Sequence, residues 1–119
     1  MNWLLVFIGG GLGSLVRYAI SLIFNKLESN FPLATLVSNV AACFIIGILV
    51  GLTMKGQLPD QQRLLFVTGF CGGFSTFSTF SNETIQLWMN GNTTHALLNI
   101  TFSLILCILA TFIGLKLAL

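Results

Sequence analysis

From Gly69 to Ser81 the chain reads Gly-Phe-Cys-Gly-Gly-Phe-Ser-Thr-Phe-Ser-Thr-Phe-Ser, a polar, glycine-interrupted stretch deep inside an apolar sequence. Ser75, Thr76, Ser78, Thr79 and Ser81 place five hydroxyls within seven positions. Such groups could attack an electrophile, but a nucleophile needs a base beside it. The sole histidine, His95, and the three carboxylates Glu28, Asp60 and Glu83 form no recognisable catalytic set, so an enzyme is not expected. Hydroxyls also donate to and accept from a passing ion. In lipid, polar groups turn toward a protein interior or a water-filled path, and a broken helix is tolerated only where its freed backbone is buried in protein or lines a cavity. Gly72 and Gly73 weaken a continuous helix here, while Phe74, Phe77 and Phe80 recur every third residue, close to one helical face. Composition leaves two readings open: an ion or substrate pathway, or a kinked, packed helix whose hydroxyls bond to their own backbone.

Other residues bear on that choice. Asn39 is a carboxamide inside an apolar run, where it must either bond a neighbouring helix or meet a permeating species. Arg17 is the only charge in its run, readable as a snorkelling side chain or as an electrostatic group at a vestibule. Glu83 follows the hydroxyl stretch, as a solvated interfacial carboxylate or a vestibule group. Asn99, Ser103, Cys107 and Thr111 recur every four residues and draw a polar stripe down one helical face, serving either helix–helix hydrogen bonding or the wall of an aqueous pathway. Cys43, Cys71 and Cys107 are widely separated and odd in number, which argues against a disulfide framework and for small core residues, with Cys107 also on the polar stripe.

The elements that must position these residues are membrane spans. Over 119 residues the chain is 55% hydrophobic and only 7% charged, with a mean hydropathy of +0.96; a soluble domain carries roughly 25% charged residues. The net charge of +2 forms no basic cluster, so nucleic acid is not an expected partner and the lipid bilayer is. The N-terminus lacks a basic n-region and reads as a span, not a cleavable signal. Spans are expected at 3–24, 33–54, 61–90 and 96–117, within a single domain over 1–119. As one straight helix 61–90 would run about 45 Å, half as long again as the hydrocarbon core. A break near 72–76 resolves the excess. Gly9 and Gly13, and Gly47 and Gly51, are small-xxx-small pairs that let helices approach closely. Asp60 is expected to cap the third span. Lys55, Arg63 and Lys116 fall on one side and Lys26 and Arg17 toward the other, a bias weak enough for insertion either way round. Four helices of this size enclose little, so a homodimer is expected.

Three ordered motifs carry a resemblance: Gly9-Gly10-Gly11-Leu12-Gly13-Ser14-Leu15-Val16-Arg17-Tyr18; Phe31-Pro32 followed by Thr35-Leu36-Val37-Ser38-Asn39; and Gly69 to Ser81. Over essentially its full length the chain resembles the Fluc, or CrcB, fluoride channels. The resemblance implies an all-α membrane protein of four transmembrane helices, the third broken mid-membrane, assembled as a dual-topology antiparallel homodimer with two fluoride pores. It implies pore linings at Phe77, Phe80 and Asn39, with Ser78, Thr79 and the track Ser103, Cys107 and Thr111. It implies vestibule or structural roles for Arg17 and Glu83, and a central sodium ion on backbone carbonyls of Gly72 and Ser75 from both subunits. The implied function is passive fluoride export across the plasma (inner) membrane.

Residue chemistry agrees with that expectation. Fluoride is small and strongly hydrated, so a pore must replace its water with donors such as Asn39 and the hydroxyls, and with the positive ring edges of Phe77 and Phe80. No lysine or arginine sits mid-pore to trap an anion, and loose binding favours release. The alternative is a small multidrug-type proton-coupled exporter. It needs a membrane-embedded carboxylate, whereas Glu28 and Asp60 lie in loops and Glu83 near a span end.

Overall fold

The computed structural model describes residues 1–119 and is entirely helical, without strands. Helix α1 spans Asn2–Phe24 and α2 spans Leu33–Met54. The third crossing is a composite: α3 (Asp60–Arg63), a π-helical run Leu64–Cys71, α4 (Gly72–Phe74), then two extended residues and α5 (Phe77–Met89). Helix α6 spans Thr93–Ala118. Four segments are thus long and apolar enough to cross a membrane, at Asn2–Phe24, Leu33–Met54, Asp60–Met89 and Thr93–Ala118. The longest extent of the protein is 48 Å, close to a bilayer with its headgroups at about 40–45 Å. The chain is a multi-pass membrane protein.

Two parallel helix pairs make up the bundle, each closed by glycine. Helix α1 lies on the first half of the third crossing: a methyl group on Gly9 would stand 2.1 Å from the Leu65 carbonyl oxygen, and one on Gly13 2.1 Å from that of Phe70. Helix α2 lies on α6 in the same manner. A methyl on Gly47 would meet the Thr111 carbonyl at 2.2 Å, and Gly51 faces Leu115 and Ala118. Both small-xxx-small pairs therefore act as backbone contact points, where dispersion replaces the hydrophobic drive that lipid cannot supply. Ala42, Ala96, Ala110 and Ala118 complete a core of small side chains, and most large apolar residues face outward, as a lipid-solvated protein requires.

Two details depart from the sequence reading, and the break, though within the expected 72–76, falls at the far end of that range. Asp60 is the first helical residue rather than the cap; Pro59 precedes it in extended geometry, and Asp60 pairs at 3.3 Å with Arg63, one turn on, at an exposed site. The wider π-helical winding of Leu64–Cys71 absorbs part of the excess length that the break alone was expected to resolve. The break itself falls later than the glycines. Gly72 and Gly73 are helical, and the extended residues are Ser75 (φ −83°, ψ 152°) and Thr76 (φ −150°, ψ 116°).

Candidate functional site at the broken helix

A helix that stops and restarts inside a membrane leaves main-chain groups to be satisfied locally. Several of those around Ser75–Thr76 have identifiable partners. The Thr76 N–H, which a continuous helix would give to the Gly72 carbonyl, donates to Asn39 Oδ1 at 2.8 Å, and Asn39 Nδ2 donates back to the Thr76 carbonyl at 3.2 Å. Thr76 caps α5: its Oγ1 accepts from the Thr79 N–H at 3.2 Å, and contacts Thr79 Oγ1 at 3.1 Å and Ser78 Oγ at 3.2 Å. The Gly73 carbonyl accepts from Arg17 Nε at 3.1 Å and from Ser14 Oγ at 3.5 Å. Ser75 Oγ turns back to the Cys71 carbonyl at 2.8 Å. Gly73 is small for a packing reason, since a methyl there would lie 2.2 Å from the Gly10 carbonyl oxygen; Gly72 faces open space.

The break also splits the phenylalanine series. Phe74 is buried at the end of α4 against Phe70, ring centroids 5.5 Å apart. Phe77 and Phe80 lie beyond the extended residues, one turn apart on α5, with centroids 5.5 Å apart and planes tilted by 46°. They line a cavity of about 240 Å³ together with Asn39, Thr76, Ser103 and Cys107. Phe77 is three-quarters exposed, so the cavity is open on its outer side.

Two further cavities lead toward it. The inner one, about 330 Å³, is lined by Arg17, Thr35, Ser38, Thr76, Thr79 and Glu83. Glu83 accepts through Oε1 from Thr35 Oγ1 at 2.7 Å, while its buried Oε2 and the buried Ser38 Oγ have no protein partner. The outer cavity, about 430 Å³, lies beneath the Asn25–Pro32 connection and shares Thr35 and Glu83 with the inner one. Thr76 in turn lines both the inner cavity and the phenylalanine cavity. Neighbouring cavities thus adjoin one another, the outer and inner ones at Thr35 and Glu83 and the inner and phenylalanine ones at Thr76.

The polar stripe of α6 divides among three tasks. Asn99 is buried and donates to Thr84 Oγ1 at 2.9 Å, tying α5 to α6; Ser103 Oγ donates to Asn99 Oδ1 at 3.4 Å. Ser103 and Cys107 face the phenylalanine cavity. Thr111 donates to its own Cys107 carbonyl at 2.9 Å and lies outside that cavity, as do Ser78 and Thr79. Thr84 and Thr35, which the sequence did not single out as functional, prove to hold Asn99 and Glu83; a hydroxyl four residues from Phe80 and another four from Asn39 were the available signals.

An all-helical multi-pass membrane protein with a broken crossing and adjoining cavities beside the break has the architecture of a transport protein. A family model described as CrcB-like protein, Camphor Resistance (CrcB), matches residues 4–115. The chain belongs to this family. It is 46% identical over 112 residues to a protein of Azobacteroides pseudotrichonymphae named fluoride-specific ion channel FluC, covering 92% of this chain and 90% of that one. Proteins of the same name from Pyrococcus abyssi (46% identical, 97% and 94% covered) and Flavobacterium psychrophilum (42% identical, 93% and 91% covered) align as fully.

Proposed function

We propose that the protein is a fluoride-specific ion channel of the plasma membrane that lets fluoride leave the cytoplasm passively, and that it is not an enzyme. The observation that carries this reading is the cavity shared by Phe77, Phe80, Asn39 and Ser103. It offers a dehydrated anion ring edges, an amide and a hydroxyl, with no fixed charge to trap it. Asn39 Nδ2 spends one hydrogen on Thr76 and keeps a second to donate. Arg17, Glu83 and Thr79 meet the ion earlier, in the inner cavity, where the unpartnered Ser38 Oγ and Glu83 Oε2 leave sites for water. Cys107 continues the wall past Ser103, and Ser78 and Thr111 flank it.

The working unit is an antiparallel homodimer with two pores. An ion path cannot have lipid as one wall, and the outward-facing Phe77 leaves one side of the cavity for a second copy to close. A central sodium ion fits the same surface. The N–H groups that would occupy the Gly72 and Ser75 carbonyls in a continuous helix, those of Thr76 and Thr79, are bonded to Asn39 and to the Thr76 side chain instead. Gly72 is exposed, and main-chain oxygens suit a hard cation. When bound, the ion would supply a positive charge that joins the two copies.

Phe77→Ile and Phe80→Ile, reconstituted in liposomes, test the pore assignment. Each is expected to lower fluoride efflux by about tenfold or more while the dimer, followed by cross-linking, persists. Wild-type efflux in both variants would overturn the assignment.

A further inference from the structure

The cavity wall contains a pair of thiols, Cys43 and Cys107, whose sulfur chemistry the fluoride reading does not use. Helices α2 and α6 run parallel: Gly47 packs against Thr111 and Leu115, Gly51 against Ala118 and Leu115, and Gly114 against Phe44 and Ile48. Cys43 stands one turn before Gly47, and Cys107 one turn before Thr111. The two thiols therefore lie on the same stretch of two helices whose backbones touch about one turn away. Both are free, half-buried, and line the phenylalanine cavity. The third thiol, Cys71, is 2% exposed and does not line that cavity.

We propose that Cys43 and Cys107 together form a binding site for a soft, two-coordinate cation such as Ag⁺, and that the bound metal closes the ion path beside Phe77 and Phe80. Thiolate pairs select soft metals over the hard cations that oxygen ligands hold. No carboxylate or imidazole lines this cavity to widen the choice. Two S–H bonds break, two S–Ag bonds form, and two protons leave to solvent. The metal keeps its oxidation state, and no oxidant is needed. A metal ion seated between α2 and α6 narrows the cavity, and the silver bis-thiolate it forms carries a net negative charge that repels an anion. The consequence for flux rests on the fluoride-channel reading; the site itself does not.

The test is a silver titration of the reconstituted protein in chloride-free buffer, read in two independent ways. Mass spectrometry of the purified wild type is expected to find one Ag⁺ per protomer, with Cys43 and Cys107 protected together from alkylation. Efflux is expected to fall about tenfold or more, to recover with a dithiol chelator, and to need about tenfold more silver in Cys43→Ala or Cys107→Ala but not in Cys71→Ala. Wild-type protein whose two thiols alkylate equally with and without silver would overturn the site, whatever the variants do. Stoichiometric silver with unchanged efflux would overturn the closure. Stoichiometric silver in a protein that passes no fluoride even without metal would uphold the site and overturn the channel reading.

Discussion

The carboxamide of Asn39 holds both main-chain groups of Thr76, accepting from its N–H at 2.8 Å and donating to its carbonyl at 3.2 Å. One side chain on α2 thus does for the broken helix what a neighbouring strand would do for an extended segment. Asn39 also lines the phenylalanine cavity.

Asn39→Ala removes both bonds at once. Each main-chain group left unsatisfied costs about 1–3 kcal/mol, so the detergent-solubilised protein should melt measurably lower and fluoride efflux should fall with it. Asn39→Asp keeps the acceptor for the Thr76 N–H but sets a carboxyl oxygen against the Thr76 carbonyl, and should also fail to conduct normally. Unchanged melting in Asn39→Ala would show that the bracket around Thr76 is not what maintains the break.

The two glycines before the break should respond in opposite ways. Gly73→Ala drives a methyl to within 2.2 Å of the Gly10 carbonyl, whereas Gly72→Ala meets nothing within 4 Å in the protomer. Overpacking of this kind costs about 1–3 kcal/mol or more. Gly73→Ala is therefore expected to lower the melting temperature and the folded yield, with Gly72→Ala close to wild type in the folding of each protomer. Equal yield and melting for both variants would contradict the packing of α1 on α4.

Much of this was legible in the sequence, for physical reasons. Four apolar runs separated by Asn25–Phe31, Lys55–Gln62 and Gly91–Thr94 read directly as spans, and the hydroxyl-rich stretch read as a break. Its position was less legible. Gly72 and Gly73 look like breakers, but α1 packs against Gly73 and rewards a helix there, so the chain opens only where Asn39 can take up the Thr76 backbone. The role of Arg17 was undecidable because its partner is a main-chain carbonyl, which no side-chain pattern announces. Phe74 kept the period of three with Phe77 and Phe80 yet faces elsewhere, since two extended residues reset the phase. Thr111 kept the period of four yet bonds its own turn. The placing of Cys43 and Cys107 on the same stretch of two helices depends on the packing of segments far apart in sequence, which only the glycine contacts reveal.

Sodium should be linked to assembly. If the Gly72 and Ser75 carbonyls of two copies hold the ion, replacing sodium by a large organic cation should weaken the dimer or abolish efflux, and sodium should restore both. An ion bound only by the dimer stabilises it by about 1.4 kcal/mol for each tenfold rise above its dissociation constant. Dimer stability and efflux indifferent to sodium over several decades of concentration would remove the site.

The central claim is that the adjoining cavities at Glu83, Thr76 and the Phe77–Phe80 pair conduct fluoride. Its most direct test is anion efflux from liposomes carrying the purified protein, with a potassium ionophore to balance charge and fluoride and chloride electrodes in parallel. Rapid fluoride release with negligible chloride release is the predicted result. A well-folded dimer that releases neither ion, or both alike, would contradict it.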